Sequence, residues 1–384
     1  MTALFAFDDA TCRSLAETHG TPCFAYSGAV AEAQFSALRA ALPARVRLAY
    51  AVKANPHPGL LMRFAALGAS FDCASMGELM RVDALLLPPG RTFFAGPGKR
   101  EAELRKALAM DVRVQAEGFE DLARVEALAD RETAVNLRVH PAFDIDEGNR
   151  IIGGSGPSAF GVDEEELPDL LEGAANLCRV RIRGLHVFAA SNQRDAAKLG
   201  AIHGAVLDLA RHLHDNHGLS LEQIDLGGGL GIPYSPEQAP LDVRGFGQGL
   251  SDLLEEHSWF TGELILEPGR YLAGPCGVYL ARVIRIKESR GTRFAILEGG
   301  INHLIRPLLT GEPFPVRAVG KGAGDLSYTL AGPLCTSLDR LGDVRLPELA
   351  AGDLLAFGST GAYGLNEGMT HFLSHPVPPE IWVE

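Results

Sequence analysis

The stretch Val46-Arg47-Leu48-Ala49-Tyr50-Ala51-Val52-Lys53-Ala54-Asn55-Pro56 decides how this 384-residue chain is read. An apolar run of strand length ends on a lysine, and Asn-Pro then turns the chain. Runs of the same kind recur at Ala69–Cys73, Thr92–Ala95, Val112–Gln115, Ala134–Val139, Ile182–Phe188, Gln223–Leu226 and Glu263–Glu267. Between most of them lie segments with helical spacing of apolar residues, such as Glu101–Met110, Glu120–Ala129 and Asp195–His214. Strands alternating with helices predict parallel strands and crossover helices, and eight strand runs predict an α/β fold of the (β/α)8 TIM-barrel type. After Arg270 the rhythm changes. Gly277–Ile286, Arg293–Leu297, Ser327–Ala331 and Asp353–Phe357 read as strands with few helices between them, a second, β-rich domain of sandwich or barrel kind. Pro22–Tyr26 reads as a further strand that packs onto it. The expected division is residues 27–268 for the barrel and 1–26 plus 269–384 for the β domain. Asp144–Gly161, with five glycines, is the expected mobile loop beside the site.

Composition narrows the function. With 46% hydrophobic and 22% charged residues the chain is of globular type. A net charge of −13 without any Lys/Arg run argues against a nucleic-acid partner. No apolar window reaches membrane-spanning length, and Met1–Ala10 carries Asp8 and Asp9 but no base. Neither a membrane span nor a secretory leader is expected, and a cytoplasmic setting is. Cys12, Cys23, Cys73, Cys178, Cys276 and Cys335 are scattered and form no CxxC pair, so neither a disulfide scaffold nor a metal site is expected.

Barrel enzymes carry their chemistry at the C-terminal ends of the strands. Those ends here hold Lys53, then Asp72-Cys73-Ala74-Ser75 with Gly77-Glu78, Gly96-Pro97-Gly98-Lys99, Arg138, His186 with Phe188 and Ser191, Gly227-Gly228-Gly229, and Glu267-Pro268-Gly269-Arg270. A lysine is ordinarily solvated. One that closes a buried apolar strand has a lowered pKa and can form an imine with an aldehyde. Bare glycine amides after a strand can cradle a phosphate.

Tyr50-Ala51-Val52-Lys53-Ala54-Asn55 is similar to the cofactor-lysine motif of the fold-type III pyridoxal-phosphate decarboxylases, the ornithine and diaminopimelate decarboxylase family. Phe71-Asp72-Cys73-Ala74-Ser75, Gly227-Gly228-Gly229, Glu267-Pro268-Gly269-Arg270, Gly332-Pro333-Leu334-Cys335 and Gly361-Ala362-Tyr363 resemble further motifs of that family, in its order, over about residues 22 to 380. The resemblance implies a decarboxylase acting through an external aldimine and a quinonoid, with pyridoxal phosphate bound to Lys53 as a Schiff base. It assigns the phosphate to Ser191, Gly228, Gly229, Arg270 and Tyr363, and places Asp72, Arg138, His186 and Gly269 around the cofactor. Glu267 would face the pyridine nitrogen and keep it protonated. The racemases that share the architecture put an arginine there, so Glu267 favours decarboxylation over racemisation. A cofactor-free regulator of the same fold should have lost the lysine, the phosphate ligands or the cysteine, all of which are kept. Cys335 would protonate the product carbon in the other subunit of a homodimer, with Asp339 nearby.

Three departures bear on substrate. The family's ring-stacking histidine, counted back from Ser191, falls on Phe188, while His186 lies two residues earlier. Phe188 is preferred because stacking needs only a flat π face, with His186 the alternative. Thr336 follows Cys335 where the relatives carry an acid that grips a distal ammonium. Thr310 replaces the tyrosine of the diaminopimelate segment, which otherwise keeps Arg306, a side chain able to hold a carboxylate bidentately. Arg306, Thr336 and Asp339 are therefore the expected substrate residues, for an amino acid whose far end is anionic or amide-linked. Gly361-Ala362-Tyr363-Gly364 and Phe372-Leu373-Ser374-His375-Pro376 resemble the branch associated with siderophore assembly, carrier-linked amino acids and exopolysaccharide clusters. A citrate-conjugated diaminopropionate or a carrier-bound glutamyl group would suit that branch.

Overall fold

The computed structural model describes residues 4–143 and 156–384. Most of the expected Asp144–Gly161 loop lies outside the described residues. The chain divides into two compact units. One comprises residues 35–231 and 241–269. The other comprises residues 1–34, 232–240 and 270–384.

Strand β1 (Cys23–Ser27) belongs to the second unit. The first unit is built on β2 (Val46–Ala51), β3 (Ser70–Cys73), β4 (Thr92–Phe94), β5 (Arg113–Ala116), β6 (Thr133–His140), the two-residue β7 (Val162–Asp163), β8 (Val180–His186), β9 (Gln223–Asp225) and β10 (Glu263–Leu266). Apart from β7, which adds to β6, these pair in parallel in the order β5-β4-β3-β2-β10-β9-β8-β6, and β5 pairs with β6 to close the ring. This is the predicted eight-stranded parallel barrel. β2 and β3 are buried along almost their whole length, as strands covered on both faces must be, which is why they read as continuous apolar runs rather than alternating ones. Side-chain caps start the outer helices. Ser75 caps Met76–Asp83, Asp195 caps Ala196–His217 and Asp242 caps Val243–Glu256. Gly218, in the left-handed region at φ +66°, ends the longest of them.

The second unit is a mixed sheet of β1 with β11 (Gly277–Ser289), β12 (Thr292–Leu297), β13 (Val316–Ala318), β14 (Leu326–Ala331), β15 (Arg340–Leu346), β16 (Leu354–Phe357) and β17 (Glu380–Val383). β1 pairs antiparallel with β11 and parallel with β17, so the first strand of the chain sits between segments more than 250 residues away. Its core gathers Cys12, Ala16, Cys23, Val278, Leu280, Leu354 and Ala356. β13, β15 and β17 escape the periodicity reading. β15 buries Leu341 and Leu346 near its two ends and exposes Arg340, Asp343 and Arg345, so in sequence it resembles a polar loop. Among the described residues, no helix is long and apolar enough to cross a membrane.

Candidate active site

Strand β2 delivers Lys53 on the tight turn Val52–Ala54, where Ala51 and Ala54 pack close to Gly269. A Cβ on Gly269 would lie 2.9 Å from that of Ala54, so only glycine lets the two chain segments pass. The Lys53 side chain is 37% exposed, which leaves its amine reachable. Nζ donates to Asp72 Oδ2 at 2.8 Å and stands 5.5 Å from the centroid of the Phe188 ring. Asp72 is buried at the end of β3, and its second oxygen has no hydrogen-bond partner.

Elsewhere on the ring, β8 and β9 end on His186 and Asp225, and Glu267 follows β10, all three buried. His186 Nε2 lies 3.7 Å from Glu267 Oε2. Gln115, the buried polar residue of β5, donates through Nε2 to Asp225 Oδ2 at 2.9 Å and to Glu267 Oε1 at 3.4 Å. Neither His186 ring nitrogen has a hydrogen-bond partner. Burial pushes the Asp72 and Asp225 carboxyls up, and Glu267 pushes both further. Burial also raises Glu267, but attraction to His186 and Lys53 and its hydrogen bond with Asp225 outweigh it and hold this carboxyl below the usual range. Glu267 is therefore the most acidic of the three carboxyls.

Gly227, Gly228 and Gly229 follow β9. Gly227 N donates to Asp225 Oδ1 at 2.9 Å, and Gly227 O accepts from Glu267 N at 2.8 Å. Gly227 and Gly229 have φ of +68° and +109°. A Cβ on Gly228 would lie 2.8 Å from Glu267 O and 3.0 Å from the Phe188 ring. The bare turn is thus required by Phe188 and Glu267 themselves. The chain leaves β8 after His186, two residues earlier than expected. His186 consequently faces the carboxylates, and the Phe188 ring lies along the glycine turn. Ser191 follows in the next loop, half-buried. Arg138 on β6 pairs with Glu117 at 3.0 Å and covers the Phe160 ring. Asp225 and Gln115 were not expected from the sequence. The available signal was a polar residue inside an apolar strand.

In the second unit, Arg270 donates to the Tyr234 hydroxyl at 2.7 Å and stacks 4.6 Å from the centroid of Tyr363, whose backbone is left-handed at φ +53°. Arg306, buried, is paired with Glu312 at 2.6 Å. Cys335 is exposed on the turn between β14 and β15, and Thr336 beside it is half-buried. Asp339 accepts from Ile301 N at 2.8 Å through Oδ1 and from Leu334 N at 2.7 Å through Oδ2. A Cβ on Gly300 or Gly332 would fall on that carboxylate.

Residues 29–274 match the family model described as the pyridoxal binding domain of the pyridoxal-dependent decarboxylases. The chain belongs to that family. This decarboxylase is 32% identical over 392 residues to the L-glutamyl-[BtrI acyl-carrier protein] decarboxylase of Niallia circulans, covering 97% of this chain and 91% of the relative. It is 36% identical over 367 residues to the diaminopimelate decarboxylase of Pseudomonas aeruginosa, covering 94% and 87%. The crystal structure of the diaminopimelate decarboxylase of Helicobacter pylori, complexed with L-lysine, superposes with a TM-score of 0.88 at 26% identity, covering 97% of this chain and 94% of that one. The enzyme is a pyridoxal-phosphate-dependent amino-acid decarboxylase.

The residues present fit that cofactor. Three buried carboxylates face one lysine amine and one imidazole, leaving negative charge and unpartnered atoms on Asp72, Gln115 and His186 that a protonated aromatic ring with polar substituents would satisfy. His186, Asp225 and Glu267 also offer atoms within 4.8 Å of one another, a spacing a metal could use. A metal, however, has no use for the amine of Lys53.

Proposed function

We propose that this decarboxylase releases CO2 from the α-carboxyl of an amino acid whose distal carboxyl is amide- or thioester-linked, a carrier-bound glutamyl group being the best-supported case. One observation carries the reading. In the turn from Gly332 to Asp339 the sole acid, Asp339, has both oxygens on backbone amides, and Thr336 supplies no charge. Nothing in that turn can pair with a distal ammonium, which disfavours free diamino acids. The relative named for a carrier-bound glutamyl substrate supports the same direction. A citrate-conjugated diamino acid of siderophore assembly, whose distal amine is taken up in an amide while the citrate keeps free carboxylates, is the second candidate.

When bound, pyridoxal phosphate supplies an aldehyde to which amines add and an electron-withdrawing ring that takes up the electron pair left by CO2. Lys53 contributes the amine that holds it, and Asp72 holds a proton and an orientation at Nζ. Glu267, held acidic, would keep a proton on the ring nitrogen of the bound cofactor. Asp225 and Gln115 fix its carboxylate. Phe188 offers the flat face, with His186 braced against Glu267. Gly228, Gly229 and Ser191 are assigned to the phosphate in the barrel, with Gly269 giving clearance to the lysine turn. Arg270, next in sequence to Gly269, is likewise assigned to the phosphate, with Tyr234 and Tyr363 against its guanidinium. Arg138, paired with Glu117, supports the rim.

Cys335 is assigned as proton donor to the product carbon in the other subunit of a homodimer. Its exposure, beside the 57% exposed Leu338, suits a residue that a second copy covers. Mixing Lys53→Ala with Cys335→Ala subunits should restore about a quarter of wild-type activity if chains pair at random. No recovery despite proven exchange would remove the shared site. The substrate test is CO2 release from lysine, ornithine, diaminopimelate and glutamate beside γ-glutamyl and citrate conjugates. The conjugates should lead by at least about tenfold.

A further inference from the structure

We propose that Glu312 sets substrate specificity. Its carboxylate occupies Arg306 and turns away substrates with a free distal carboxylate, in favour of those whose distal carboxyl is amide- or thioester-linked. The inference deepens the reading above and rests on it together with the sequence expectation that Arg306 lies at the distal end of the substrate.

Arg306 is 4% exposed, and a guanidinium that deeply buried needs a partner. It has one inside its own segment. Nη2 donates to Glu312 Oε2 at 2.6 Å and Nη1 to the Glu312 carbonyl at 3.2 Å, so the terminal edge that would grip a carboxylate is taken. The guanidinium face is covered as well, with Cζ 3.7 Å from the centroid of Tyr234 and 5.6 Å from that of Phe314.

The pairing is held from several sides. Thr310 donates through Oγ1 to Arg306 O at 3.0 Å and accepts from Glu312 N at 3.2 Å. Gly311, left-handed at φ +73°, then reverses the chain so that Glu312 returns to Arg306. A tyrosine in place of Thr310 has no hydroxyl at Cβ and would make neither of these two bonds. Gln238 Nε2 donates to Glu312 Oε1 at 2.6 Å, while Gln238 Oε1 accepts from Tyr234 N at 2.6 Å. Both Glu312 oxygens are therefore engaged. A second acid, Glu367, is half-buried and within electrostatic reach of both Arg270 and Arg306. The Arg306 charge is thus matched inside its own segment by Glu312, and Glu367 adds a second negative group near it.

The substrate chemistry follows. The α-carboxylate leaves as CO2, so it must be free, and the carrier of a glutamyl substrate must be joined through the distal carboxyl. Such a linkage is uncharged and meets no repulsion from Glu312. Free glutamate brings a second carboxylate and does. Discrimination by a built-in repulsive group, rather than by extra attraction, is a common route to specificity.

The test compares kcat/KM for a γ-glutamyl N-alkylamide and for L-glutamate, on cofactor-loaded wild type, Glu312→Gln, Glu312→Asp and the Glu312→Gln/Arg306→Gln pair. Wild type should favour the amide by at least about tenfold. Glu312→Gln should shrink that preference by about tenfold or more, mainly through KM for glutamate. Glu312→Asp should keep the wild-type preference, and the double variant should lose the gain. Glutarate binding, measured by calorimetry, should tighten by at least about tenfold in Glu312→Gln. An unchanged preference together with unchanged glutarate binding would overturn the role of Glu312. If neither glutamyl compound is turned over by any variant, the substrate reading fails by itself, and glutarate binding still decides for or against Glu312. Should Glu312→Gln fail to fold, Gln238→Leu removes one anchor of the same carboxylate and should move the preference the same way by a smaller factor.

Discussion

The two units handle buried acid in opposite ways. In the barrel, Asp72, Asp225 and Glu267 crowd round one amine and one imidazole, repel one another, and leave polar atoms without partners. In the β unit, Asp339 is equally buried yet has an amide hydrogen bond on each oxygen, in a space cleared by Gly300 and Gly332. Both are acids in apolar surroundings, and burial raises the Asp339 carboxyl just as it raises those of Asp72 and Asp225. What separates them is satisfaction. An acid whose bonds all close within the chain maintains the fold, whereas a cluster that closes only with a ligand marks a site.

Four substitutions can break or sharpen that contrast. Lys53→Ala should have the largest effect, lowering CO2 release by about 10³-fold or more, since it removes the cofactor-holding nucleophile. Borohydride reduction of wild type followed by mass spectrometry should place the pyridoxyl group on Lys53, and a label on Lys99 instead would move the site. Asp339→Ala leaves two buried amides without an acceptor, at about 1–3 kcal/mol each. Its melting temperature should fall by roughly 5–15 °C. A variant that melts like wild type would deny Asp339 its structural role.

Asp225→Asn should act the other way. It relieves repulsion within the carboxylate cluster, so the cofactor-free protein should melt within about 3 °C of wild type or above it, while activity falls by roughly tenfold or more. A loss of stability as large as that of Asp339→Ala would erase the distinction drawn here.

The smallest effect concerns Glu78, which lies between the two kinds. It accepts one backbone amide, Ala74 N at 2.7 Å, and burial pushes its carboxyl to about 7. A raised pKa means that the folded chain binds the proton more tightly than the unfolded one. Its contribution is therefore fully present below the unfolded value and is lost as pH rises from the ordinary 4.5 through about 7. Between pH 5 and pH 8 the melting temperature of wild type should drop by more than that of Glu78→Gln. Equal drops would show that Glu78 titrates normally.

Much of this was open to reading in one dimension because barrel chemistry is local to strand ends. Lys53, Glu267 and the Gly227–Gly229 run each follow a short apolar segment, and such a segment announces both the strand and the rim where its last residues stand. The same rule pointed to His186 and Phe188 but not to their directions. The exit of the chain from β8 after His186 decided those, because a residue beyond the strand no longer shares its alternation. Asp225 and Gln115 are polar residues inside apolar strands, and their meaning lies in a mutual approach across 110 residues.

Local pattern by itself determined the barrel, the lysine that ends its first strand and the glycine turn, because strand period, turn chemistry and the residue type at a strand end are properties of a few neighbouring positions. Only the tertiary structure decided which acids are satisfied. Asp339 meets Ile301 through Oδ1, Arg306 and Tyr234 meet across 72 residues, and Glu312 comes back to Arg306 over a glycine turn. Charge compensation depends on distances between side chains that sequence order does not encode. A buried ion's state is set by the sum of its neighbours, not by its own segment.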